Sequence, residues 1–260
     1  MKQLSTMPLP LQWDDEEKAL LRGIERLPCE ARTLGQMVDV LFDRRYASTA
    51  EPKTDLYYMY RGVKRPGDEE LFKKHGLRYD VTVTLARTLG REYNKTLGHY
   101  HPVPDGSRLA YPELYEVLSG ALVFLIQTRV AGSGDVERVY LISAREGDKV
   151  MIPPGYGHIM INPGNETLVT ANLVESTFKS EYEPIKAKQG GAYYLLDDGT
   201  VKSNPAYKDL PEPQRVLAEK FWGNKSVDFA KGKNVYASFL ESPEKYSFLK
   251  NPDELESLVP

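Results

Sequence analysis

The sequence predicts a mainly β protein, an antiparallel sandwich or barrel with helical segments added at both ends. Between about residues 55 and 205, short runs of β-branched and aromatic residues alternate with turn signals rich in Gly, Asn, Asp and Pro, which is typical of antiparallel β domains. Before and after this region, apolar residues recur at helical spacing. We therefore divide the chain into a helical N-terminal extension (1–50), a β-barrel domain (51–205) and a C-terminal extension (206–260) that packs on the barrel or on a partner subunit.

Two helices are expected in the N-terminal extension. The first covers residues 14–27, where four leucine and isoleucine residues recur at helical spacing behind an acidic first turn, as the helix dipole favours. The second begins after Thr33, a residue suited to an N-cap, and carries an apolar stripe from Leu34 to Phe42.

Strands are expected to follow in order through the barrel domain. Residues 57–63 and 79–88 read as half-buried strands, and a glycine-rich tip at 131–135 joins the hairpin strands 122–130 and 136–143. Further strands are expected at 149–152, 158–162, 167–174 and 192–196. The C-terminal extension returns to a helical pattern in 211–222 and 251–258, with a short strand at 234–240.

Three of the four histidines fall within two short segments, residues 98–120 and 147–162. If residues 96–101 form a strand, the imidazoles of His99 and His101 lie on one face, because strand residues two apart share a face. A glutamate opens the next strand, and the third histidine follows a turn rich in Pro and Gly. The candidate ligands are His99, His101, Glu113 and His158. Three imidazoles and a carboxylate suit Fe(II), Mn(II), Ni(II) or Zn(II) and leave positions open for a substrate.

Both segments resemble the paired motifs of the cupin superfamily. The later segment reads G-x5-P-x-G-x2-H-x3-N and the earlier one H-x-H-x11-E-x6-G. In the later segment, the motif positions are Gly147, Pro153, Gly155, His158 and Asn162. In the earlier segment, they are His99, His101, Glu113 and Gly120. The gap before the glutamate is lengthened, and Tyr93 stands where a glycine is expected. Within cupins, T-x-G-H-Y-H followed by E-x-Y resembles the archaeal-type, metal-dependent glucose-6-phosphate isomerases over roughly residues 79–204.

The resemblance implies a cupin barrel that interconverts glucose 6-phosphate and fructose 6-phosphate, with one divalent transition metal per subunit, in glycolysis and gluconeogenesis. A divalent cation can bind O1 and O2 of the sugar together. Glu113 is placed to act as a base if its metal bond is loose, and Tyr115, on the same strand face, to move the oxygen protons. Proton transfer through an enediol and a direct hydride shift both use this constellation.

For the phosphate, the resemblance points to hydroxyl and backbone groups that map to Thr82, Thr96 and Gly98. Where the archaeal enzymes carry Gly-His-Asp-Tyr, this chain has residues 178–182, FKSEY. Lys179 is expected to replace the missing histidine as a point charge. Lys73, Lys74 and Arg78, together with His75, are expected on a solvated face.

Two other functions remain open on the sequence. A cupin dioxygenase also uses histidines and a glutamate around Fe(II), and oxygen uptake would identify it. A non-catalytic cupin that binds a sugar phosphate would keep the ligands without turnover. The T-x-G-H-Y-H context favours the isomerase.

Composition narrows the class of protein. The formal net charge of −3 gives no case for binding nucleic acid or an anionic membrane. Cys29 is the only cysteine, so a disulfide-built secreted scaffold is excluded. The N-terminus lacks the apolar core of a signal peptide, and no run approaches the roughly 20 apolar residues that span a bilayer. We therefore expect a cytoplasmic protein whose partners are a sugar phosphate and, as the resemblance implies, a second copy of the chain in a homodimer.

Overall fold

A computed structural model describes residues 1–129, 135–222 and 233–256. Their strands are β1 (Lys2–Ser5), β2 (Leu11–Asp14), β3 (Ala19–Arg22), β4 (Glu25–Arg26), β5 (Glu30–Thr33), β6 (Asp55–Tyr60), β7 (Leu77–Thr84), β8 (Thr88–Leu89), β9 (Glu92–Tyr93), β10 (Glu113–Ser119), β11 (Ala121–Thr128), β12 (Val139–Arg145), β13 (Lys149–Ile152), β14 (Tyr156–Ile161), β15 (Leu168–Glu175), β16 (Tyr193–Leu195), β17 (Val201–Ser203) and β18 (Gln214–Leu217). The α-helices are α1 (Arg44–Thr49), α2 (Glu69–His75), α3 (Glu183–Ala187), α4 (Ala218–Phe221) and α5 (Val235–Glu241). Short 3-10 helices cover Leu34–Gln36, Val38–Val40, Pro243–Leu249 and Pro252–Leu255.

Two sheets form the body of the molecule. The larger has six strands in the order β13-β10-β15-β7-β6-β5, and the smaller has four in the order β14-β11-β12-β18. All neighbours are antiparallel except β12 and β18, which run parallel. The predicted antiparallel β architecture is therefore confirmed, as are the strands expected from residue 149 to 196. The hairpin of β11 and β12 is present, but most of its expected tip lies outside the described residues.

Alternating side chains give the six-stranded sheet two different faces, because successive residues of a strand point to opposite sides. On β7, Val81 and Val83 belong to an apolar cluster on the outer face. Asp80 and Thr82 alternate with them and point to the inner face, towards the four-stranded sheet. Apolar side chains of both sheets pack together in this interior.

The chain's own ends cover the outer face. Strands β1–β4 form a separate four-stranded sheet whose Trp13 packs on Tyr58 of β6, with ring centroids 5.9 Å apart. Helix α5 contributes Tyr236, which makes an edge contact with Tyr79 at 5.1 Å. The backbone N–H of Val235 also donates to the Glu116 carboxylate on β10 at 2.7 Å. The extensions and the barrel thus share one apolar core.

The helix predicted for residues 14–27 is wrong, since β2, β3 and β4 occupy this segment. Gly23, with φ +63°, forms the turn between β3 and β4, and Ile24, expected on a buried helix face, is fully exposed. Antiparallel pairing with β1 and β2 overrides the helical spacing. The second expected helix is present only as two 3-10 turns.

Other expectations also need correction. The strand expected at 234–240 is the helix α5, whose N-cap Asn234 accepts a hydrogen bond from Ala237 N at 2.6 Å. Residues 96–101 form isolated bridges instead of a regular strand. The helix expected at 211–222 is divided between β18 and α4, and only a 3-10 helix lies in the described part of 251–258.

No helix in the described ranges is both long and apolar enough to cross a membrane.

Candidate metal site and cavity

Four side chains meet between the two sheets. They are His99, His101, Glu113 and His158, and one ligand atom from each lies within 4.8 Å of all the others. The His101 and His158 Nε2 atoms lie 3.3 and 3.2 Å from Glu113 Oε2, and the Nε2 atoms of His99 and His101 are 3.2 Å apart. His99 is partly buried and the other three are buried. The structure therefore brings together the four residues that the sequence predicts as metal ligands.

Backbone pairing brings the histidines together from distant parts of the chain. His99 N donates to His158 O at 3.3 Å, and His158 N donates to His99 O at 3.0 Å. His158 lies in β14, and Glu113 is the first residue of β10. Gly98 precedes the first ligand with φ +82°. A Cβ at this position would press into the Ile159 side chain and lie 3.2 Å from His158 O, so the close approach requires glycine.

Neighbouring groups fix how the ligands point. Tyr111 O lies 2.9 Å from His101 Nδ1, which directs the Nε2 atom of that ring towards the centre of the cluster. Asn172 Nδ2 donates to Glu113 Oε1 at 2.6 Å, which leaves Oε2 facing the histidines. The Tyr115 hydroxyl lies 3.3 Å from His158 Nε2.

The charge states suit a metal site. Burial lowers the pKa of His158 and, together with the two neighbouring imidazoles, lowers the pKa of His99 well below its usual range. Burial alone would raise the pKa of Glu113, but the neighbouring His101 and His158 imidazoles hold it well below normal. Burial raises the pKa of Tyr115 well above normal. Neutral imidazoles and an ionised carboxylate are the forms that bind metal ions.

The geometry also fits a metal ion. A metal–nitrogen bond of about 2.1 Å places neighbouring ligand atoms about 3.0–3.4 Å apart in octahedral or tetrahedral arrangements. The distances of 3.2 and 3.3 Å within the cluster fall in this range. Glu113 Oε2 is buried without a hydrogen-bond partner, as a carboxylate oxygen facing a cation would be. The cluster could therefore hold a divalent transition metal.

A cavity opens from the cluster between the two sheets. Thr82, Thr96 and Gly98, which the sequence predicted as substrate contacts, line it. Lys179 is exposed and is not among the lining residues, whereas its neighbours Phe178 and Ser180 are.

Sequence analysis missed two basic residues of the cavity. Arg61 and Arg78 both line it, which corrects the expectation that Arg78 lies on a solvated face. Each pairs with Asp80, at 2.8 Å from Arg61 Nη1 and 2.9 Å from Arg78 Nε. Alternation could have found Arg78, because Arg78, Asp80 and Thr82 occupy every second position of one strand. No such signal marks Arg61, which follows the end of β6. Lys73 and Lys74 are exposed as expected.

Comparison with known proteins identifies the family. The family model described as Glucose-6-phosphate isomerase (GPI) matches residues 31–212. This chain belongs to the glucose-6-phosphate isomerase family. The matched range includes every residue of the metal cluster and every residue named above as lining the cavity.

Relatives in archaea agree with this family assignment. Glucose-6-phosphate isomerase of Thermococcus kodakarensis is 29% identical over 197 residues, which cover 75% of this chain and 94% of that protein. The enzyme of Pyrococcus furiosus is 26% identical over the same shares of the two chains. Among solved structures, an oxalate oxidase in complex with glycolate is similar at 20% identity and a TM-score of 0.33, over 48% of this chain and 51% of that chain. The archaeal-type character of the family member is confirmed, whereas β1–β4 and α5 lie outside the matched range.

Proposed function

We propose that this family member interconverts glucose 6-phosphate and fructose 6-phosphate in the cavity between its two sheets. The observation that carries the proposal is the convergence of His99, His101, Glu113 and His158 at one end of that cavity, in a chain that belongs to the glucose-6-phosphate isomerase family. These four residues would hold one divalent transition metal per subunit, with Fe, Mn, Ni and Zn as the candidates.

When bound, the cation supplies electrostatic stabilisation to the sugar oxygens at C1 and C2. Glu113 is proposed to act as the base when its metal bond is loose, because Asn172 fixes Oε1 and leaves Oε2 among the candidate ligands. Tyr115 is proposed to move the oxygen protons. Its raised pKa keeps the hydroxyl protonated at neutral pH, so that it can donate to a sugar oxygen.

Three further groups that line the same cavity are proposed to bind the phosphate. Thr96 Oγ1 accepts from Met160 N at 3.0 Å, which leaves the hydroxyl hydrogen free to donate. Gly98 N donates to no acceptor among the described residues, and the missing side chain allows an anion to approach it. Thr82 lies on the facing strand β7 and lines the same cavity.

The test is metal reconstitution. The protein is stripped with a chelator, Fe(II), Mn(II), Ni(II) or Zn(II) is restored separately, and conversion of fructose 6-phosphate is followed. Turnover should return with metal and be lost in His99→Ala and His158→Ala, while His75→Ala, outside the cavity, stays active. Stoichiometric metal binding without turnover for any metal would refute the proposal.

The family match does not favour a dioxygenase or a non-catalytic binding protein. The first would consume oxygen with a substrate, and the second would bind sugar phosphate tightly without turnover, so the same reconstituted samples distinguish all three.

We further propose a cytoplasmic homodimer that serves glycolysis and gluconeogenesis, with no nucleic acid or membrane partner. The nearly balanced charge supports the last point. The division of the chain at residues 50 and 205 is likewise proposed, with the terminal segments as extensions of the barrel. Light scattering after size exclusion tests the dimer.

A further inference from the structure

Two arginines share one buried carboxylate in the cavity wall. Asp80, whose side chain is 1% exposed, accepts from Arg61 Nη1 at 2.8 Å and from Arg78 Nε at 2.9 Å. Gly62 N also donates to it, at 2.8 Å, and Arg78 Nη1 donates to Ser176 O at 3.1 Å. Two cations on one anion leave a net positive charge on this Arg61-Asp80-Arg78 cluster.

The arginines keep donors for a ligand. Among the described residues, Arg61 Nε and Arg78 Nη2 have no hydrogen-bond acceptor. Both side chains are partly exposed, at 42% and 29%, and both line the cavity. Because Asp80 holds them in place, little rotamer entropy remains to be lost when an anion binds.

Strand register places this cluster away from the metal ligands. The register that pairs β10 with β15 sets Glu113 opposite Val174, and Val174 pairs with Arg78 on β7. Two strand spacings, about 10 Å, therefore separate the backbones of Glu113 and Arg78. Asp80 and Thr82 lie two residues apart on the same face of β7. A sugar bound by its first two oxygens at the candidate metal ligands would lie in the same cavity as this cluster.

We propose that Arg61 and Arg78, positioned by Asp80, bind the distal phosphate of the substrate and supply its charge compensation. The inference rests on the proposed isomerase function and names the specificity determinant of that site. The three cavity histidines are all candidate metal ligands, and Lys179 is exposed and does not line the cavity. The positive charge that compensates the phosphate therefore has to come from other side chains. Guanidinium groups match phosphate oxygens through paired N–H donors.

The experiment compares Arg61→Gln and Arg78→Gln with Lys179→Gln and with Arg91→Gln, a surface arginine that pairs with Asp198. Isothermal calorimetry measures the Kd of inorganic phosphate, and kinetics give KM and kcat for fructose 6-phosphate. In each cavity variant, the phosphate Kd and the KM should rise roughly tenfold to hundredfold, as for loss of a charged hydrogen bond. Metal content should stay unchanged, and both control variants should match the wild type.

Removing one arginine leaves the buried Asp80 carboxylate with a single cationic partner, which can destabilise the fold. The neutral triple variant Arg61→Gln/Asp80→Asn/Arg78→Gln avoids that buried charge and should show the same loss of phosphate affinity with an unchanged melting temperature.

The outcomes separate the two proposals. Wild-type phosphate affinity in the triple variant, or no phosphate binding by the wild-type protein, would overturn the arginine assignment even if the isomerase activity stands. Arginine-dependent phosphate binding without isomerase turnover would support the assignment and refute the proposed reaction.

Discussion

Glu113 uses its two carboxylate oxygens differently. Oε1 accepts from Asn172 at 2.6 Å, and Oε2 faces His101 and His158 at 3.3 and 3.2 Å. The amide therefore fixes the plane of the carboxylate. Such outer contacts orient the ligands of a metal site and contribute to its affinity.

Asn172→Ala should weaken metal binding about tenfold to hundredfold, because Glu113 would lose its orienting donor. Competition with a metallochromic chelator measures the change. Thr170→Ala is the matched control, since Thr170 lies two residues earlier on the same buried strand face and its hydroxyl contacts Met160. Equal affinities in the two variants would show that the amide does not orient the ligand.

Single residues differ in how visible they are in the sequence. The four candidate ligands were predictable because several fixed spacings coincide in two motifs. Asn172 and Arg61 belong to no such motif. Their position depends on strand register across β6, β7 and β15, which pairs residues far apart in the chain, so local sequence does not reveal it.

The segment leading into His99 depends on the backbone conformation of Gly98. Gly98→Ala should lower the free energy of unfolding by about 2–4 kcal/mol, because left-handed strain adds to overlap with Ile159 and His158. Urea denaturation gives the value, and metal stoichiometry should fall with it.

Gly106→Ala provides the comparison for Gly98. Its φ is +81° with no atom within 4 Å of the added Cβ, so only the strain of about 1–2 kcal/mol applies. If Gly98→Ala lowered the free energy of unfolding by no more than this, the close approach of Gly98 to Ile159 and His158 would not constrain the site.

The 3-10 helix Pro252–Leu255 is fastened to the loop before β10 by a carboxylate. Asp253 accepts from Ser107 Oγ at 2.7 Å and from the backbone N–H groups of Arg108 and Leu109. The hydrogen bond from Ser107 is the largest cause of a lowered Asp253 pKa. A lowered folded-state pKa stabilises this contact above the unfolded pKa, and the contribution disappears as the pH falls.

Acidification below about pH 4 should therefore loosen the Pro252–Leu255 helix from the loop. Limited proteolysis with an acid protease, or hydrogen exchange across this pH range, would detect the change. Asp253→Asn removes the titrating group and should abolish the pH dependence of this segment. Persistence of that dependence in the variant would assign it to another group.

The mispredicted elements show where local patterns fail. Residues 14–27 carry leucines at helical spacing, yet Leu20 is buried in β3 and Ile24 is exposed, because Ile24 lies in the turn between β3 and β4. For α5, an informative local signal was present, since Asn234 caps the helix. The aromatic and β-branched residues of 234–240 favoured a strand. The segment instead forms a helix, which packs on the outer face of the six-stranded sheet.

The molecule as a whole has a layer that the family model does not match. The match begins at residue 31 and ends at 212, whereas β1–β4 and α5 cover the outer face of the six-stranded sheet. A bare sheet face of this kind favours association with another chain. We infer that the extensions shield it, so a dimer would form through a different surface.

Phe239→Ala should destabilise the protein by about 3–5 kcal/mol, because the ring is fully buried between the extension and the barrel. Ile24→Ala, at a fully exposed position, should change stability by less than about 0.5 kcal/mol. Thermal or urea unfolding measures both. If the extension were only loosely attached, the two variants would behave alike.

Strand β10 has a different partner on each face. Glu113 and Tyr115 point towards the candidate metal site, and Glu116 points outward to hold Val235 of α5. A ligand that binds only the folded state stabilises all parts of the structure that open in the same unfolding event. The amide proton of Val235 should therefore exchange more slowly when metal is bound. Its exchange rate would report metal binding at the candidate site from the other face of the six-stranded sheet.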